Sequence, residues 1–286
     1  MILPGPKLAT AVAAIVLFGG LVFAPASRAQ IFQQPAGPNN MANLKASQDQ
    51  LNVLQNVETR SAIDPKETAA YQKCFAVDPR DPDKKIKLGT AFLGRYPKSA
   101  YVEAVDVGLT NAYLAKQDMK DFYATADRAL GLNPNEVDVL TTYGWVIPHE
   151  YDPSAPDAAR QLARAEGYEK HAIDLLGKMK KSNGETEEQF ARSKAQELQQ
   201  AHSALGLIYF RQGNYADSAK ELPLSTQGTT GIDETDVFVL GVDLQNMKRH
   251  ADAASTFARC SQVAGPLQDR CKQSADQEKK LASGGM

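Results

Sequence analysis

Ala204-Leu205-Gly206-Leu207-Ile208-Tyr209, followed by Gly213-Asn214-Tyr215, is the stretch that decides how this 286-residue chain is read. A small residue, Gly206, lies in the middle of an apolar run, with a large one on either side and an aromatic three positions on. The cadence returns as Leu240-Gly241 with Leu244, Ala253 and Phe257, so that the two Leu-Gly pairs lie 35 residues apart. Upstream, Leu109 with Tyr113 and Tyr143 with Gly144 keep a 34-residue interval, punctuated by Ala129, Leu132 and Pro134. A fixed period of this length is the signature of stacked helical hairpins, none of which buries its apolar face alone.

Repeats of this length, with a small residue at one helix crossing, a large one beside it and a proline at the closing turn, resemble the tetratricopeptide repeat (TPR) family. The resemblance runs in four or five tandem copies over residues 66–264 and implies an all-α, TPR-like superhelix of antiparallel helical hairpins. The copies depart from the family pattern at Ser218, where alanine is usual, at Lys248, which replaces the turn glycine, and at Thr110, which stands where Gly206 and Gly241 stand later. Residues 148–157 carry Pro148, Pro153 and Pro156 and read as a loop, with one helix ending by Ile147 and the next starting at Asp157 or Ala158. From Tyr143 to Leu205 is 62 residues, so the third unit holds about 28 residues beyond one repeat, in that loop and in a long second helix.

Residues 1–29 have the layout of a secretory signal: Lys7, an uncharged run from Leu8 to Phe23, and small residues at Ser27 and Ala29 before Gln30. A periplasmic or secreted protein is therefore expected; the alternative is an inner-membrane anchor formed by an uncleaved leader. Residues 30–65 turn to Gln, Asn, Pro and Ala and read as a flexible tether, within which Leu44, Leu51, Leu54 and Val57 recur at helical spacing. The phrase from Phe92 to Tyr101 is similar to the link between repeats in periplasmic TPR proteins of envelope assembly or cell division.

The whole chain has 32 basic and 34 acidic side chains; loss of the leader with Lys7 and Arg28 leaves 30 against 34 and a formal charge of −4. That balance offers no basic field for nucleic acid or anionic lipid. Lys178, Lys180 and Lys181, followed by Asn183-Gly184 and then Glu185, Glu187 and Glu188, read as a helix end meeting a helix start.

Three cysteines remain after export. Cys260 and Cys271 lie symmetrically about the Gly265-Pro266 bond, and in an antiparallel hairpin residues equidistant from the turn share a height. A disulfide pinning a capping helix from about Leu267 to Leu281, within a C-terminal segment of residues 265–286, is expected; two separately buried thiols are the alternative. Cys74, beside Ala70, Tyr71 and Phe75, reads as a buried, inert thiol, with a mixed disulfide as the alternative.

No Gly-rich phosphate loop, Gly-x-Ser-x-Gly elbow or His-Glu-x-x-His helix occurs, so no catalytic residue, metal site or cofactor is expected. His149-Glu150-Tyr151-Asp152 is the one cluster that joins imidazole to acid, and it leaves an enzyme as a distant third reading. The TPR resemblance implies a concave groove lined by the first helix of each hairpin, with Asn111, Trp145, Leu207, Phe210, Arg211, Phe238 and Gln245 on it, taking an extended peptide or a partner helix. The lysine and asparagine pattern with which some family members grip acidic C-termini is absent. The leading expectation is an exported, non-catalytic adaptor that binds a protein; the second is an envelope component that assembles through its terminal helices, its oligomeric state open.

Overall fold

The turns that follow Thr110, Gly206 and Gly241 are one and the same turn. Gln117, Gly213 and Lys248 stand seven residues past Thr110, Gly206 and Gly241, and all three are left-handed, with φ of 58°, 77° and 59°. The next amide reaches back over the last helical turn: Asp118 N donates to Tyr113 O at 3.0 Å, Asn214 N to Tyr209 O at 2.8 Å and Arg249 N to Leu244 O at 2.9 Å. This closure satisfies carbonyls that the helix end would otherwise leave unpaired. Asp118 and Asn214 then accept, on their side chains, the backbone N–H of Asp121 and Asp217, so one residue closes a helix and opens the next. Glycine adopts this backbone without strain, whereas Gln117 and Lys248 carry a cost on the order of 1 kcal/mol each.

The computed structural model describes residues 64–182, 184–226 and 233–284, all within one compact unit of the chain, Ala36–Met286. The leader at 1–29, the tether and the helical spacing between Leu44 and Val57 lie outside the described residues. Eleven helices occur among the described residues: α1 (Pro65–Phe75), α2 (Pro82–Arg95), α3 (Val102–Ala115), α4 (Met119–Leu132), α5 (Val137–His149), α6 (Ala158–Lys178), α7 (Glu187–Arg211), α8 (Tyr215–Ser225), α9 (Glu234–Asn246), α10 (His250–Cys260) and α11 (Gln268–Ala282). They pair as five hairpins, α1/α2 to α9/α10, and each first helix also packs against the first helix of the next hairpin, ending with α9 on α11. No strand occurs among the described residues.

Two details of the third unit differ from the sequence expectation. α5 runs through Pro148 to His149, because Pro148 in the last turn loses only one backbone bond and its fixed φ is already helical. α6 stops at Lys178, ahead of Gly184, and part of the extra length lies in α7, which spans 25 residues. α7 starts at a capping box in which Thr186 and Gln189 satisfy each other's backbone.

The hairpins close through contacts that need a missing side chain. A Cβ on Gly206 would overlap Leu222, and one on Gly241 would overlap the Phe257 ring, each sixteen residues further along the chain. At Gly144 the same place is taken by Glu169, after nine extra residues of loop and helix. Glu169 is fully buried with neither carboxylate oxygen hydrogen-bonded, and burial pushes its pKa well above the ordinary carboxylate range.

Buried acids also join α7, α8 and α9. Asp236 accepts from Ser203 at 2.9 Å and Ser225 at 2.6 Å, and Asp243 accepts from Ser218 at 2.6 Å. Burial outweighs these bonds and pushes both carboxyls up to about 7. Ser218, which departs from the repeat's usual alanine, is the hydroxyl that makes the Asp243 contact.

Cys260 and Cys271 form the disulfide between α10 and α11, with Cα atoms 5.6 Å apart and both residues fully buried. Glu234 braces the same corner by accepting Leu267 N at 3.0 Å. The buried Glu278 of α11 meets His250 Nδ1 at 2.6 Å, while Lys272, Gln273, Asp276, Lys279 and Lys280 face water, the polar outer surface an end cap requires. Cys74 is buried at 3% exposure and free, and burial raises its thiol pKa, so the thiolate is suppressed.

Three outcomes follow for stability. Gly206→Ala is expected to cost about 1–3 kcal/mol through overpacking on Leu222, whereas Gly167→Ala, in open space on α6, should gain up to about 1 kcal/mol; paired thermal melts compare them. Breaking the disulfide by Cys260→Ala with Cys271→Ala should cost about 3 kcal/mol for so short a loop, read from denaturant midpoints. Asp243 keeps its proton in the fold up to about pH 7 but ionises near 3.8 once released, so its stabilisation is complete below that value and is lost as the pH rises through 7. The melting temperature of the wild type relative to Asp243→Asn should therefore fall by several degrees between pH 5 and pH 8; a pH-independent difference contradicts the assignment.

Candidate functional site

Position within the repeat orders the residues of the first helices. Counted from Thr110, Gly144, Gly206 and Gly241, the next residues are Asn111, Trp145, Leu207 and Val242, and since α3, α5, α7 and α9 pack in series these positions form one row. The residues five positions past Gly144 and Gly206 are His149 and Arg211, one step toward the helix C-termini. His149 is thus the counterpart of Arg211 within its repeat, a match the sequence carries although its proline-rich surroundings read as a separate loop.

The seven groove residues expected from the resemblance divide by burial. Phe238 is 2% and Leu207 5% exposed, and both are core. Phe238 packs on the Phe257 ring at 5.6 Å between centroids, with the Arg270 guanidinium 4.9 Å from its own centroid. α11 therefore supplies the cation that covers Phe238. Phe210 is half-buried against Tyr215 of its own hairpin, at 6.2 Å. Asn111 is exposed and Gln245 half-buried.

Trp145 and Arg211 meet through residues of the α5 C-terminus. The Trp145 and His149 rings lie 4.0 Å apart, and His149 Nδ1 is 2.6 Å from Trp145 O. A carbonyl only accepts, so Nδ1 carries the hydrogen and Nε2 keeps a lone pair. Burial pulls the His149 pKa down to about 4, with the nearby Arg211 charge acting in the same direction, so the ring is neutral at physiological pH. Arg211 Nε donates to Pro148 O at 3.3 Å, and its guanidinium lies over the Tyr151 ring at 5.7 Å. Asp152, in contrast, turns to accept from Ser154 N at 2.8 Å and makes no pair with His149.

A second cluster lies between α4 and α6. Arg164 Nε donates to Tyr168 Oη at 2.7 Å, its guanidinium sits 4.7 Å from the Tyr143 ring and pairs with Asp127, and Tyr143 Oη donates to Asp127 at 3.0 Å. An open cleft of about 610 Å³ beside it is lined by Leu130, Pro134, Leu140, Ala163 and Gly167. Arg164 and Asp127 complete each other, so the cluster cross-ties two hairpins. Among the described residues no three His, Cys, Asp or Glu side chains gather as a metal-ligand set, and no helix is long and apolar enough to cross a membrane.

The chain matches no family model and no curated protein. A solved thermophilic TPR protein of Thermus thermophilus is 13% identical to it, with a TM-score of 0.46 over 73% of this chain and 98% of that one. Five hairpins in series, first helix against first helix, with small residues at the crossings and a closing helix, make the fold of this chain TPR-like.

Proposed function

We propose that this protein is an exported, non-catalytic adaptor that binds an extended segment of a partner protein along the row of first helices. The observation that carries the reading is the half-buried group of Trp145, His149, Tyr151 and Arg211, placed midway along that row where α5 meets α7. Aromatic rings and arginine, partly desolvated and held by packing, are the side chains that dominate binding at protein interfaces. Asn111 and Gln245, further along the same face, offer hydrogen bonds to a partner backbone. The leader sequence supports placement in the periplasm or beyond it, with an uncleaved membrane anchor as the alternative. The reading of a component that assembles through its ends draws less support, because the outer face of α11 is polar.

The experiment is in-cell crosslinking and capture from the envelope, comparing the wild type with Trp145→Ala. Recovery of the principal partner should fall about tenfold or more, as expected when a central aromatic anchor is truncated, while the melting temperature stays within a few degrees. Phe238→Ala is the contrasting variant: it should cost about 3–5 kcal/mol of stability, because Phe238 is core. An unchanged crosslink pattern for a folded Trp145→Ala protein refutes the groove, and self-crosslinks alone favour assembly.

A further inference from the structure

The last helix is held differently from the helices that close the hairpins. α2 buries Phe92, α4 Phe122, α6 Leu162 and Leu176, α8 Leu222 and α10 Phe257, so each docks through a large apolar side chain. α11 buries only Cys271, Ala275 and Glu278, and its one large apolar residue, Leu281, is 48% exposed. The hydrophobic drive to dock α11 is therefore small. Glu278 meets His250 through Oε2 but leaves Oε1 buried without a hydrogen bond, which opposes docking. The outer faces of the helix are charged or amide-bearing, so water solvates them in either position. A helix of fifteen residues without tertiary contacts is marginal in water, so that release and unravelling of α11 coincide.

What remains is the covalent tie. Cys260 and Cys271 are both fully buried between α10 and α11, while the turn that joins them is exposed at Gln262 and from Ala264 to Pro266. The bonds of Leu267 N to Glu234 at 3.0 Å and of Gln268 Nε2 to Ser261 O at 3.1 Å orient the start of the helix and leave its length untied. Docked, α11 sets the Arg270 guanidinium 4.9 Å from the centroid of the Phe238 ring, on the last first helix of the row.

We infer that α11 is a redox-released strap: with the disulfide formed it closes the C-terminal end of the repeat array over Phe238, and with the disulfide reduced it leaves α10 while the five hairpins stay folded. The reductant is a dithiol. One of its thiolates attacks a sulfur of the pair to give a mixed disulfide, and its second thiol displaces that bond; the dithiol ends as a disulfide and its two protons end on Cys260 and Cys271. Return is equally local. An eleven-residue spacing keeps the two thiols close after release. Cys74, the third cysteine of the chain, is buried in α1 with its thiolate suppressed, and does not compete for either partner. The strap is independent of what binds along the row of first helices. The competing account is a static staple, whose loss weakens the whole fold without freeing α11.

Hydrogen exchange of the full-length protein, followed by mass spectrometry with and without excess dithiothreitol, separates the two. On reduction the amides of residues 268–282 should exchange about a hundredfold faster or more, the factor that a typical disulfide supplies, while those of α3 to α9 keep their protection. Reoxidation should restore α11. Cys260→Ala with Cys271→Ala should show the fast α11 without any reductant; if that variant does not fold, the reduced wild type still decides. Four results overturn the strap: an α11 equally protected in both states, protection lost along the whole chain on reduction, a release that reoxidation does not reverse, or a pair that alkylation shows dithiothreitol leaves unreduced in the folded protein.

Discussion

The contact on which this structure depends is the close approach of paired helices at a residue with little or no side chain. Gly206 admits Leu222 and Gly241 admits the Phe257 ring. Each contact lets a large apolar group seat against bare backbone, and the hairpin closes around it. Three of the five hairpins, α3/α4, α7/α8 and α9/α10, repeat the same left-handed turn, and the first helices pack one against the next. The row that carries Trp145 and Arg211 is a consequence of that repetition.

The third unit keeps the crossing but changes what fills it. At Gly144 the group that closes the hairpin is Glu169, a fully buried acid whose pKa is raised well above the ordinary carboxylate range, first by burial and then by the Glu197 charge. The joint between α8 and α9 is likewise polar, with Asp236 and Asp243 bonded to serines from neighbouring helices. Buried acids contribute less stability than well-packed apolar groups, and Asp236 and Asp243, unlike Glu169, fix geometry through directed bonds. The apolar crossings supply most of the cohesion, and the acid and hydroxyl contacts set how neighbouring helices sit.

Much of this was legible in the chain itself. The Leu-Gly period located the hairpins, Gly213 and Lys248 marked equivalent turns, and the symmetry of Cys260 and Cys271 about Gly265-Pro266 anticipated the disulfide and the helix it secures. Which of the expected groove residues are exposed was less legible. Phe238 has the right repeat position for an exposed anchor, yet Phe257 and Arg270 cover it, the latter from a helix whose docking is not written into the repeat. His149 had the right position too, but three prolines nearby gave it the aspect of a detached loop, whereas α5 carries straight through Pro148. The cluster of Arg164, Tyr168, Tyr143 and Asp127 gave no signal beyond an Arg-Tyr pair four residues apart, since its other members come from two further helices.

The sequence alone determined the helical class, the repeat, the turns and the capped C-terminus, because these follow from contacts between residues a few positions apart and from backbone angles that one residue sets. Tertiary structure decided which groups converge and which are covered: Arg211 on Pro148 and Tyr151, Glu169 in the place of an apolar side chain, and Phe238 beneath α11. Arg211 and Pro148 are 63 residues apart and meet only because the nine extra residues before Glu169 and the added length of α6 and α7 return the chain to register. The relative placement of distant helices depends on the summed packing of everything between them, and no local pattern in the chain encodes that sum.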